Sequence, residues 1–195
     1  MRRLILLTAF MLVAMTAAPP RSYAADPDHD VCFSIGNESY KNKDNFKTGE
    51  DACARMITSS RYSGNGLASI YRARGSWRQK QGELDASLSD YDIAIRMQPK
   101  NVEGFDYRAD VYQQKGDLDR ALADYDRASK LDPAYSAAHY SRGMIFEKKK
   151  QLDKARSEYK ITIGLPTRDR IAQWAQNNAR ARLKALDEEA KGDKK

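Results

Sequence analysis

The sequence predicts an all-α solenoid built from antiparallel helical hairpins. Three observations carry that prediction. First, Tyr91, Tyr125 and Tyr159 are spaced by 34 residues, as are Arg74, Arg108 and Arg142, and Leu84, Leu118 and Leu152. Self-similarity at a fixed period marks a stack of like supersecondary units. Second, apolar residues inside each unit recur at three- and four-residue steps, the helical period. Third, Pro99 and Pro133 close the first two units, and Pro166 closes the third one residue early. Proline lacks the amide donor and restricts its predecessor, so helices stop there.

The elements follow in chain order. Residues 1–24 read as a signal peptide. Arg2 and Arg3 give a positive start, Leu4 to Ala18 is apolar, Pro19-Pro20 ends the run, and Ser22 and Ala24 suit a cut after Ala24. The run is too short to span a bilayer. Of the net charge of +7, Arg2, Arg3 and Arg21 leave with that segment. Export to a periplasmic or secreted location would put Cys32 and Cys53, the two cysteines of the chain, in an oxidising compartment, where they pair as a disulfide. A nucleophilic thiol would need a histidine, and His29 sits in a loose, charged stretch, ADPDHD.

Residues 25–67 form an N-terminal segment with a degenerate half-repeat. One period before Ser87 stands Cys53, and one period before Tyr91 stands Ile57, so Glu50 to Ser60 read as a second helix. Three units follow at 68–101, 102–135 and 136–167. In unit one, a helix over Ala68 to Gln81 leads into Gly82-Glu83-Leu84-Asp85. There glycine allows a left-handed turn and the acid can cap the next helix. Leu88, Tyr91, Ala94 and Ile95 make the apolar stripe of that second helix. Gly75, Ala109 and Gly143, with Ser87, Ala121 and Ala155, let paired helices approach, while the periodic tyrosines fill the space between units. The acids Asp90, Asp92, Asp124 and Asp126 repeat with the period and read as a solvated surface. Thr167 caps a final helix over 168–190, whose stripe is Ile171, Trp174, Ala175, Ala179, Leu183 and Leu186. A repeat stack needs such a polar-backed end. Residues 191–195 are a tail.

Unit two carries Ala109, Tyr112, Gly116, Ala121, Tyr125, Ala128 and Pro133 in the text ADVYQQKGDLDRALADYDRASKLDP. It resembles the tetratricopeptide repeat family, and GSWRQKQGELDASLSDYDIAIRMQP and GMIFEKKKQLDKARSEYKITIGLP resemble it too. Four positions depart from the family pattern: Arg78 for an aromatic, Ser87 for alanine, Lys150 for the turn glycine and Thr162 for alanine. The resemblance implies a right-handed solenoid whose first helices line a concave groove for a peptide or protein partner. By register the candidate groove residues are Arg72, Ser76, Glu103, Asp106, Tyr107, Asp110, Tyr140 and Met144. Members that hold chaperone tails use a clamp of lysines and asparagines. Here those positions read Arg72, Ser76, Tyr107, Ala137 and Ser141, which argues against that activity. The groove centre is acidic instead. Glu103, Asp106 and Asp110 stand three and four apart on one helix face. An extended segment bearing Lys or Arg would lay its stem on Tyr107 and Tyr140 and its charge on the acids. The competing account is that acids in the first turns complement the helix dipole.

Nothing in the sequence points to catalysis or to a cofactor. There is no CxxC, HExxH, phosphate-binding glycine loop or DxDxDG. His139 falls in the column of Tyr71 and Phe105 and reads as a packing residue. Two cysteines and two histidines are thin material for a metal site. Asn37-Glu38-Ser39 fits a glycosylation sequon only fortuitously. The Arg74, Arg108, Arg142 ladder is diluted by neighbouring acids, so no nucleic-acid partner is expected. The alternative function is membrane-surface association through the basic final helix. Its alanine-rich stripe with a single tryptophan suits a cap better than an interfacial anchor.

Overall fold

The computed structural model describes residues 26–34 and 43–192. The signal peptide expected at 1–24, the sequon and the last three residues of the tail lie outside them. Among the described residues the chain runs through α1 (Pro27–Cys32), α2 (Lys43–Thr58), α3 (Gly64–Gln81), α4 (Leu84–Met97), α5 (Val102–Gln114), α6 (Leu118–Leu131), α7 (Ser136–Lys148), α8 (Leu152–Gly164) and α9 (Arg170–Gly192). Each helix packs on its sequence neighbours, and α3 also touches α5 as α7 touches α9. The pairs α3–α4, α5–α6 and α7–α8 are the three hairpins that the period announces.

The turns inside the hairpins are alike. Gly82, Gly116 and Lys150 all adopt positive φ, at 83°, 80° and 58°. In the last of them, Lys150 N donates to Glu147 O at 2.9 Å and Gln151 N to Phe146 O at 2.8 Å. The same two bonds close the glycine turns, the pattern that satisfies the last carbonyls of a helix. The lysine therefore leaves the third hairpin's boundaries in register.

Packing between paired helices depends on the small column. A Cβ on Gly75 would stand 2.8 Å from the Tyr91 ring, and one on Gly143 2.5 Å from the Tyr159 ring. The tyrosines reach both ways. Their hydroxyls turn to the first helix of their own hairpin, where Tyr91 meets Ser76 Oγ at 2.9 Å and Tyr159 donates to Glu147 at 2.8 Å. Tyr91 also packs 5.9 Å from Tyr107 of the next unit, and Tyr125 packs with Ala138 and Ile145 of the next, as expected between units. The departures from the family pattern also find roles. Ser87 donates to the Gly75 carbonyl at 2.8 Å, and Thr162 to the Glu158 carbonyl at 2.9 Å. Arg78 pairs with Glu50 of α2 and Asp90 of α4, both at 2.9 Å, tying the partial unit to the first full one.

The solvated-surface reading of the periodic acids fails for Asp90, 1% exposed, and Asp124, which is also buried. Their partners are the arginine ladder. Arg74 holds Asp90 with two bonds of 2.6 and 2.9 Å. Arg108 holds Asp124 with two of 2.7 Å and reaches Asp92 of the preceding unit at 2.6 Å. Arg142 holds Glu158 at 2.9 Å. Bidentate guanidinium–carboxylate bonds offset the desolvation that burial imposes. His139, also on Glu158 at 3.0 Å, packs as its column suggests.

Three boundaries differ from expectation. α2 starts at Lys43 rather than Glu50, because Phe46 packs on Trp77 and Lys47 pairs with Glu50 and Asp51 one turn on. α3 starts at Gly64 rather than Ala68. The stretch around His29 is not loose: it is α1, with Pro27 in its first turn and Asp26 accepting from Asp28 N. Asp26 in turn accepts from the Tyr62 hydroxyl at 2.7 Å and pairs with Arg61. Cys32 and Cys53 form the disulfide, fully buried beside Met56, Ile70 and Trp77. Trp77 Nε1 donates to the Cys32 carbonyl at 2.8 Å.

At the other end Asp169, not Thr167, caps α9 by accepting from Ala172 N at 2.8 Å. Thr167 donates to Gln176 Oε1 instead. Ala175, Ala179 and Leu186 are buried as the stripe requires, but Ile171 and Trp174 are each 54% exposed.

Candidate functional site

The first helices of the hairpins, α3, α5 and α7, carry the candidate groove residues in columns one period apart. Arg72, Asp106 and Tyr140 share one column, and Ser76, Asp110 and Met144 another. On α3, Arg72 donates to Glu103 at 2.6 Å and to Gln98 at 3.0 Å. Its charge is matched by Glu103, the exposed acid at the first turn of α5. Ser76 is engaged by Tyr91.

On α5 the remaining acids are enclosed. Asp106 is 7% exposed and accepts from the Tyr135 hydroxyl at 2.9 Å. Burial, with the charges of Asp110 and Glu103 nearby, pushes its carboxyl up to about 7. Asp110 accepts from the Tyr125 hydroxyl, and burial raises its carboxyl as well. Tyr107 stands between them, half-buried beside Tyr91, at 5.9 Å between ring centres. Its hydroxyl is raised by burial and by the charge of Glu103.

The other buried acids of the described residues each face a cation: Asp26 has Arg61, Glu50 and Asp90 have Arg78, Asp124 has Arg108 and Glu158 has Arg142. Among the described residues Asp106 and Asp110 have none, only tyrosine hydroxyls. The helix-dipole account reaches Glu103 in the first turn of α5 and stops there. Asp106 and Asp110 lie beyond that turn and owe nothing to the helix end.

Tyr140 and Met144 sit apart from the acids, toward α9. Tyr140 packs 5.9 Å from Tyr159 and edge-on, at 5.2 Å and 81°, to Trp174. Tyr140 and Met144 line a cleft of about 500 Å³ between α7 and α9, with Glu147, Arg182 and Leu186 on its walls. The structure thus brings Arg72 to Glu103 and leaves Asp106, Asp110 and Tyr107 as a second group, with Tyr140 and Met144 as a third. Sequence reasoning missed Tyr125 and Tyr135 as donors and Trp174 as a neighbour of Tyr140. The period held one usable signal, since Trp174 stands 34 residues after Tyr140.

No three metal-binding side chains converge among the described residues. Residues 108–165 match the family model described as tetratricopeptide repeat. No curated protein matches the chain in sequence. Among solved structures the chain is similar to MamA, with 17% identity over 78% of this chain and 80% of that one and a TM-score of 0.56. It is similar to a tetratricopeptide repeat protein of Parabacteroides merdae, with 16% identity over 82% and 63% and a TM-score of 0.60. It is also similar to YrrB, described as a protein of this repeat class with an unusual peptide-binding site, with 18% identity over 69% and 68% and a TM-score of 0.56. Residues 108–165 thus match the tetratricopeptide repeat model, and the three hairpins with their shared turns have the fold of solved tetratricopeptide repeat structures.

Proposed function

We propose that the protein is an exported, non-catalytic interaction module whose groove takes an extended segment bearing Lys or Arg at Asp106 and Asp110. One observation carries the reading: Asp106 is the buried acid left without a cation, with half-buried Asp110 beside it also lacking one, when every other buried acid among the described residues has one. A ligand ammonium or guanidinium would complete the pairing, as Arg74 and Arg108 do for Asp90 and Asp124. The peptide-binding site ascribed to YrrB, of like fold, supports a peptide as ligand class. The buried Cys32–Cys53 disulfide supports an oxidising compartment. No helix among the described residues is long and apolar enough to cross a membrane.

The test is a fluorescence-polarisation titration of extended twelve-residue Gly/Ser peptides carrying Lys, Arg, Glu or no charge. The Lys and Arg peptides should bind. Asp106→Asn with Asp110→Asn should weaken them roughly 10-fold, the size of a lost charge-assisted hydrogen bond. Equal binding of the Glu peptide, or undiminished binding by the variant, would sink the reading.

A further inference from the structure

We infer that α9 is the fourth row of the groove as well as the end of the stack, and that Trp174 and Ile171 receive a large apolar side chain of the bound segment. This rests on the groove reading above and adds to it a second recognition element. α9 begins at Arg170, one period after α7 begins at Ser136. Its residues therefore fall into the columns of α3, α5 and α7. Trp174 continues Arg72, Asp106 and Tyr140, and Ile171 continues Ser69, Glu103 and Ala137. The edge-on contact of Trp174 with Tyr140 joins row four to row three, much as Arg72 and Glu103 join rows one and two.

The end-of-stack role does not account for these two side chains. The columns of Tyr71, Gly75 and Arg78, which face the second helix in each hairpin, become Gln173, Asn177 and Arg180 in α9. Among the described residues no second helix covers that face, and those three bond to one another, with 3.2 Å from Gln173 to Asn177 and from Arg180 to Asn177. That face is built for water. Trp174 and Ile171 lie off it, each 54% exposed, whereas Trp77 is fully buried. An exposed tryptophan beside an exposed isoleucine marks a contact surface rather than a cap.

The occupant follows from charge and spacing. Along the groove the acids of α5 come first and the apolar pair of α9 two helices later. Taking the 8–10 Å spacing of packed helices for each row puts the two sites about 16–20 Å apart. An extended chain advances about 3.3 Å per residue, so a basic and an aromatic residue about five or six positions apart would reach both. A membrane surface is the weaker fit, because two of the cations near the apolar pair, Arg168 and Arg182, are committed to Asp132 and Glu147.

The experiment uses the full mature chain and twelve-residue Gly/Ser peptides with one Lys and one Phe, the gap between them varied from two to ten. Binding should peak at a gap of five or six. It should shift Trp174 emission to the blue while leaving the buried Trp77 unmoved. Trp174→Ala should weaken the best peptide roughly 10-fold, and exchanging the peptide's Phe for Ser should do the same to the unaltered protein. Affinity indifferent to the Phe, the gap and Trp174 overturns this inference, and if Lys and Asp106 still matter the groove reading stands. Dependence on Phe and Trp174 with none on Lys removes the groove reading and the spacing rule with it. Sedimentation with anionic phosphatidylglycerol vesicles that vanishes in Trp174→Ala, without any peptide effect, assigns the patch to lipid and overturns the inference.

Discussion

Asp106 is a carboxyl group placed where ionisation is penalised. Its value of about 7 lies above the ordinary 3.8, chiefly because it is buried and then because Asp110 and Glu103 are close. A raised carboxyl means that the folded chain keeps a proton the unfolded chain has lost. Stability should therefore fall as pH rises from about 4 to about 7 and level off above that window. Asp106→Asn keeps an acceptor for the Tyr135 hydroxyl and has nothing to ionise. Urea titrations at pH 5 and pH 8 should show the parent losing stability between the two while the variant loses less. An equal loss in both would place the pH dependence elsewhere. Position in the chain could not reveal this burial: three acids on one helix face look alike in sequence, and only neighbouring helices separate exposed Glu103 from enclosed Asp106.

At the scale of the element, the third turn shows what a local departure from pattern does. Lys150 takes the left-handed conformation that Gly82 and Gly116 take in the other hairpins. For a residue with a Cβ that conformation costs about 1–2 kcal/mol. Lys150→Gly should recover about 1 kcal/mol of it, the greater unfolded-state freedom of glycine offsetting the rest. A thermal melt that rises by a few degrees would bear this out, and an unchanged or lower midpoint would count against it. The helices on either side were legible because stripe, turn and proline all agree within a few residues. Their starts were less so. The seven extra residues of α2 depend on Phe46 meeting Trp77, a contact across 31 positions.

At the scale of the whole molecule, the two ends of the described stack are covered differently. At the N-terminal end the disulfide and α1 cover the partial unit, with Trp77 bonded to the Cys32 carbonyl. Cross-linking residues 21 apart stabilises by about 3 kcal/mol through the entropy of the unfolded chain. Cys32→Ser with Cys53→Ser, or reductant, should lower the urea midpoint accordingly, followed by the fluorescence of Trp77. Peptide affinity at α5 and α9 should stay the same, since the groove acids lie in other hairpins. An unmoved midpoint would mean that packing of α1 alone closes that end. At the C-terminal end a polar face of α9 does the same work without a covalent bond.

The sequence by itself determined the period, the three hairpins, their turns and the pairing of two cysteines. The period, hairpins and turns are written in residues a few positions apart or in exact multiples of one spacing, which local propensity reads directly, and the pairing follows from there being two cysteines in the chain. Both halves of the buried ion-pair ladder also stand in the sequence as columns, Arg74, Arg108 and Arg142 and Asp90, Asp124 and Glu158. Only the tertiary structure decided that these columns meet, that Asp106 and Asp110 meet no cation, and that Trp174 turns to Tyr140 rather than to the core. Pairing and exposure are set by distances between helices, and a one-dimensional pattern does not contain those distances.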